Sequence, residues 1–166
     1  MKFRMDRTIS FTLLILYALL LVKLILFKGA YFFRVVPTNP DYEYGSRTSA
    51  LISYNFVPFK TILFYIKSEA PIFEKLFNVF GNILLFIPFG FFLSRVLTAP
   101  RFWNICIISF LLSTFFELFQ FRTHTGTCDI DDVILNTSGA ILGYIILVNL
   151  QKLLKGKKSY TLLKDN

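Results

Sequence analysis

Asp129-Ile130-Asp131-Asp132-Val133-Ile134-Leu135-Asn136-Thr137-Ser138-Gly139-Ala140-Ile141-Leu142-Gly143 is the stretch whose reading decides the fold. Three carboxylates open it, an apolar run follows, and an asparagine and two glycines lie inside that run. Wound as an α-helix, Asp129, Asp132, Asn136, Gly139 or Ala140, and Gly143 recur at three- and four-residue spacings and share one face. Val133, Ile134, Leu135, Ile141, Leu142, Ile145 and Ile146 cover the remaining surface. A helix that is broadly apolar but polar and small along one seam suits a membrane, with the seam against other helices. Gly139 and Gly143 are then close-packing positions.

Composition points the same way. The 166 residues are 55% hydrophobic, include 21 Phe and are only 17% charged, against roughly 25% charged in an ordinary globular protein. Mean hydropathy is +0.60. Several apolar runs approach the ~20 residues needed to cross a bilayer. The expected fold is all-α: a polytopic membrane protein forming one domain over residues 1–166, a bundle of about four transmembrane helices. The spans fall at about 9–27, 77–97, 102–121 and 132–151. One long extracytoplasmic loop, about 28–76, joins the first two. The net charge of +8 is distributed at the ends of apolar runs, as membrane orientation requires, so nucleic acid is not an expected partner. Cys106 lies inside an apolar run and Cys128 precedes the acidic cluster, which suits neither a disulfide framework nor a zinc site.

Along the chain, the basic Met1–Arg7 segment leads into the apolar Ile9–Phe27 run. That run is too long for a usual signal-peptide core and no small-residue cleavage site follows it, so it reads as a retained first span. Lys23 can snorkel towards the far interface. Pro37, Pro40 and Gly45 mark a turn-rich loop, and residues 55–66 form an apolar, aromatic segment too short to span, read as interfacial or re-entrant. The second span carries Asn78, Gly81, Asn82, Pro88 and Gly90, and Pro88 is expected to kink it. The third is apolar until Glu117 and Gln120. Basic residues at both termini and in the Arg95–Arg101 turn place that side in the cytoplasm.

This topology gathers polar residues at one depth. Glu117 lies about 7 Å inside the outer end of the third span, and Asn136 about 6 Å beyond Asp132, at ~1.5 Å rise per residue. Asn82, Glu117, Gln120, Asp129, Asp132 and Asn136 are therefore expected to line a polar pocket in the outer leaflet, with Glu117 facing Asp132 and Asn136. Carboxylates facing one another call for a proton or a cation between them, such as Arg47 from the loop. Simpler roles compete. The three aspartates can cap their own helix, most readily Asp131, which is off the seam. His124 reads as a loop histidine. Glu117 resists this explanation, since an acid near a helix C-terminus opposes the dipole.

Four pieces together resemble the VanZ-like family of bacterial membrane proteins: Asn55-Phe56-Val57-Pro58-Phe59, Gly81 through Gly90, Glu117-Leu118-Phe119-Gln120, and Asp129 through Gly143. They cover about the last two thirds of the chain in family order. Many members carry a basic residue shortly before the acidic cluster, where this chain has Gly126-Thr127-Cys128. Arg122 and His124 are the nearest substitutes, and Arg47, Asn55 and Arg122 are the loop candidates for ligand contact. The resemblance implies a multi-pass protein of the bacterial cytoplasmic membrane, linked to low-level resistance to the glycopeptide teicoplanin. The first functional expectation is a non-enzymatic envelope protein that recognises a membrane lipid, a lipid-linked cell-wall precursor or a lipophilic glycopeptide, with no cofactor. The alternative is a membrane enzyme in which Asp129, Asp131 and Asp132 hold Mg²⁺ against a lipid phosphate, with Glu117 as acid or base. The absence of an evident nucleophile weighs against it. A transporter is third, because the polar residues gather on one side instead of at the midplane.

Overall fold

The computed structural model describes residues 6–31, 54–69, 71–123 and 125–164. They form five helices and one short ladder: α1 (Arg7–Tyr31), β1 (Tyr54–Asn55), α2 (Lys60–Lys67), α3 (Ile72–Val96), α4 (Phe102–Thr123), β2 (Cys128–Asp129) and α5 (Ile130–Lys164). Four of the helices are long and apolar enough to cross a membrane, over Arg7–Ile25, Lys75–Val96, Phe102–Thr123 and Ile130–Leu154. The protein is thus an all-α, multi-pass membrane bundle. The helices outrun the expected spans at several ends, most of all α5, which continues to Lys164 past the apolar run. The segment read as interfacial or re-entrant resolves into β1 and α2.

α3 and α5 form the closest pair, and the reason is the small-residue seam. A Cβ placed on Gly139 would run into the carbonyl of Ile83, one on Gly143 into that of Ile87, and one on Gly90 into that of Ala140. Backbones approach this closely because a glycine on one helix leaves its Cα–H groups access to a carbonyl oxygen of the other. Pro88 lies inside α3, where its missing N–H disturbs the ladder. The Leu85 carbonyl beside this break accepts the Tyr17 hydroxyl of α1 at 2.7 Å.

α1 is integral to the bundle, with Leu21 and Ile25 buried among Phe86, Phe89, Leu93, Ile105, Phe116 and Ala140. Its first turn meets the end of α3, where Arg7 donates to the Val96 carbonyl at 3.1 Å and Arg95 donates to Ser10 Oγ at 3.1 Å. This end, with the 97–101 turn, is the basic end. At the opposite, polar end, α1 and α4 finish while α3 and α5 begin. Leu16, Leu19, Leu84, Leu111, Phe115, Leu142, Ile145 and Ile146 are exposed along the bundle's sides, as lipid contact requires. Val133 and Leu135, which the helical pattern put on that outer surface, are instead buried. They lie in the first turns of α5, which the polar end encloses.

Candidate functional site at the polar end of the bundle

The polar end is assembled where the Asn55–Ile62 segment folds back onto the start of α5. β1 and β2 pair in parallel, Tyr54 with Cys128 and Asn55 with Asp129. This two-residue ladder brings the first chemistry-bearing motif against the last one, more than 70 residues later.

α2 begins without a cap of its own. Its N-cap position is Phe59, which has no side-chain acceptor and sits in the left-handed region at φ 65°. The first N–H groups of a helix have no partner inside it. Asp131, fully buried, supplies the acceptors from another helix: Phe59 N–H donates to its Oδ1 at 2.5 Å, and Thr61 and Ile62 N–H donate to its Oδ2 at 2.8 and 3.1 Å. A carboxylate at this position also opposes the positive end of the α2 dipole. Asp131 is a capping residue, but of α2 and not of its own helix.

Asp129 caps α5. Its Oδ1 accepts the Asp131 N–H at 2.9 Å and the Asn55 amide at 3.0 Å, while Oδ2 accepts the Thr61 hydroxyl at 2.5 Å. Burial pushes the Asp129 carboxyl above its ordinary range; the Thr61, Asp131 and Asn55 bonds pull it down, and the neighbouring Asp132 charge pushes it up. Burial also raises the Cys128 thiol, helped by the nearby Glu117 and Asp129 charges. Such a thiol stays protonated and unreactive.

Glu117 is 3% exposed, and its Oε2 accepts the Asp129 N–H at 2.9 Å. It therefore pins the backbone at the entry to α5, which accounts for an acid placed against the α4 dipole. The expected partnership of Glu117 with Asn136 is not formed through the asparagine amide. Asn136 donates instead to Ser113 at 2.8 Å, one turn deeper along α4. Asp132 accepts the Asn82 amide of α3 and is only half-buried. Gln120 turns away from α5 and donates to the Ile25 carbonyl of α1 at 2.9 Å. The Asp132–Asn136–Gly143 seam is thus divided: Asp132, Gly139 and Gly143 address α3, while Asn136 addresses α4.

Of the loop candidates, Asn55 is inside the network, also reaching Thr61 Oγ1 at 3.1 Å. Arg122 is exposed on the last turn of α4. Arg47 and His124 lie outside the described residues. Among the described residues, no group of three His, Cys, Asp or Glu side chains is arranged to hold a metal ion. The oxygens of Asp129 and Asp131 face N–H and O–H donors that a cation would have to displace, so this donor set does not suit the Mg²⁺ alternative.

Thr61 and Ser113 escaped the sequence reading. A signal for Thr61 was available: a helix start at Phe59-Lys60-Thr61 with no local cap, in a chain with a surplus of aspartates elsewhere. Ser113 lies four residues before Glu117 and so shares its face.

Comparison with known proteins shows the family. The VanZ/LLP1 family model matches residues 14–153. Protein VanZ of Enterococcus faecium is 32% identical over 139 residues, which is 84% of this chain and 73% of that protein. No solved structure matches.

Proposed function

Because the chain belongs to the VanZ/LLP1 family, we propose that it is a non-enzymatic protein of the bacterial envelope that recognises a lipid-linked cell-wall component or a lipophilic glycopeptide at its polar end. It is a membrane protein of VanZ type. The observation that carries the reading is the gathering of Asn55, Asn82, Glu117, Asp129, Asp131 and Asp132 at one end of the bundle, beneath a short aromatic segment. A carboxylate costs ~2.5–3.5 kcal/mol at the centre of a membrane-spanning helix on insertion scales, and less towards the boundary where these residues lie. Here they fix a rigid platform. Glu117, Asp129 and Asp131 hold backbone, while the half-buried Asp132 and Asn55 offer a carboxylate and an amide to hydroxyl- or amine-bearing ligands. With the basic end cytoplasmic, this platform faces outwards, where cell-wall precursors and glycopeptides meet.

The test is expression in a glycopeptide-susceptible Gram-positive host, with membrane levels checked by immunoblot. The chain is expected to raise the minimal inhibitory concentration of teicoplanin severalfold. Asp132→Asn and Glu117→Gln should reach the membrane in normal amounts and lose most of that rise. An unchanged inhibitory concentration with the well-expressed chain refutes the proposal.

A further inference from the structure

At the basic end, opposite the polar network, an open groove of about 320 Å³ lies between the start of α1 and the end of α3, lined by Arg7, Thr8, Phe11 and Val96. Arg7 is its charged group. A guanidinium carries five N–H donors in a planar fork, and the Arg7 Nε donates to the Val96 carbonyl at 3.1 Å. That bond satisfies one of the carbonyls left open at the end of α3 and fixes the plane of the fork beside the groove. Among the described residues, no acceptor meets the four N–H groups of the two Arg7 Nη atoms. Asp6, the neighbouring carboxylate, accepts the Thr8 N–H at 3.4 Å and forms no pair with Arg7. Phe11, Ile15 and Leu19 continue from the groove at four-residue steps along one face of α1, and all three are exposed. From Arg7 to Leu19 this trail is about 18 Å long at ~1.5 Å rise per residue, roughly the depth of one leaflet. The first two spans meet their ends here, at Arg7 and Val96, so the fork lies at the level of the headgroups.

We infer that this groove docks an anionic membrane phospholipid, its phosphate on the Arg7 fork and the Thr8 hydroxyl and one acyl chain along Phe11, Ile15 and Leu19. A guanidinium matches a phosphate through two parallel N–H···O bonds, and the apolar trail calls for a phosphate that carries hydrocarbon. Arg95, which donates to Ser10 about one turn further along α1, adds positive charge that disfavours the ammonium of a zwitterionic headgroup. A lipid seated here reinforces the α1–α3 contact made by the Arg7–Val96 and Arg95–Ser10 bonds. The site is at the other end of the bundle from the polar network and does not rest on the function proposed for that network.

The experiment titrates the purified full chain in detergent with dioleoyl phosphatidylglycerol, dioleoyl phosphatidylcholine or inorganic phosphate, and follows Tm. Phosphatidylglycerol should raise Tm in a saturable way, and the other two should not. Arg7→Gln should weaken half-saturation by phosphatidylglycerol at least about fivefold. Because that variant also gives up the Val96 bond, Thr8→Asp supplies a second reading: it leaves Arg7 in place, sets a carboxylate on the phosphate position and should abolish the response. Arg101→Gln removes an exposed charge in the 97–101 turn that lines no part of the groove, and it should respond like the wild type. The inference is overturned if Arg7→Gln or Thr8→Asp responds like the wild type, or if Arg101→Gln weakens the response as much as Arg7→Gln, which reduces the effect to surface charge. An equal shift with phosphatidylcholine, or the same shift with inorganic phosphate, overturns it as well. So does light scattering that shows Arg7→Gln changing oligomeric mass while the lipid response stays intact, which assigns the face to a second copy.

Discussion

Asp131→Ala tests the central claim about the polar end. The carboxylate is fully buried and accepts three backbone N–H groups of the 59–62 segment at 2.5, 2.8 and 3.1 Å. Alanine strands all three. Each stranded donor costs about 1–3 kcal/mol if it stays buried, but the segment has an escape: it can lift from the bundle and take water. The low end, about 1 kcal/mol each, then governs, and the three together give about 3 kcal/mol. At 1.4 kcal/mol per decade, this is a shift of roughly 100-fold in the opening equilibrium. Hydrogen–deuterium exchange in detergent micelles should show the Thr61 and Ile62 amides exchanging roughly 100-fold faster. Amides in the α3–α5 interior should keep their protection, because the glycine contacts do not involve α2. Unchanged exchange at Thr61 and Ile62 in a folded Asp131→Ala protein would refute the trans-capping account.

Three further outcomes are expected. Gly143→Ala should lower Tm in detergent by the equivalent of about 1–3 kcal/mol, since its new Cβ meets the Ile87 carbonyl; an unchanged melting curve would mean the α3–α5 contact is looser than described. The pH dependence should carry the mark of Asp129, whose carboxyl is raised by burial: the folded state holds its proton more tightly than the unfolded state, so stability falls as pH rises from the ordinary carboxylate range (about 3.9) through the raised value and is flat above it. Asp129→Asn keeps the amide and hydroxyl partners and should flatten that part of a Tm-against-pH series. Topology reporters fused after Asn166 or placed in the 97–101 turn should read cytoplasmic and one near Gly45 external, and a cytoplasmic reading at Gly45 would reverse the orientation.

The spans were legible because crossing a bilayer demands about 20 apolar residues in a row, a property that survives any tertiary detail. The glycine seam was legible for a related reason: Gly139 and Gly143 leave nothing but backbone to pack with. The partners of the polar side chains were not. The i, i+3 spacing puts Gln120 beside Glu117, yet three residues are 60° short of a full turn. That rotation carries Gln120 to α1. Rise counted from level helix ends matches Asn136 to Glu117. The connection through β2 sets α4 and α5 about a turn out of step, and Ser113 receives the amide instead.

The acidic cluster shows where such a reading ends in principle. Three aspartates in four residues invite one shared explanation, a metal or a cap, because a pattern of side chains can be matched only to other side chains. The partners here are largely backbone N–H groups, which every residue but proline carries and no sequence motif marks. Asp131 accepts from Phe59, Thr61 and Ile62, and Glu117 accepts from Asp129. The carboxylates have consequently taken separate tasks: Asp129 starts α5, Asp131 starts α2, Glu117 fixes the strand between α4 and α5, and Asp132 reaches α3 through Asn82. Each task ties a different element to the first turn of α5. A ligand that engages Asp132 or lifts α2 therefore acts on the junction of every element at the polar end. This is why the carboxylate variants are expected to alter recognition well before they unfold the bundle, whose α3–α5 contact lies deeper and is made of backbone.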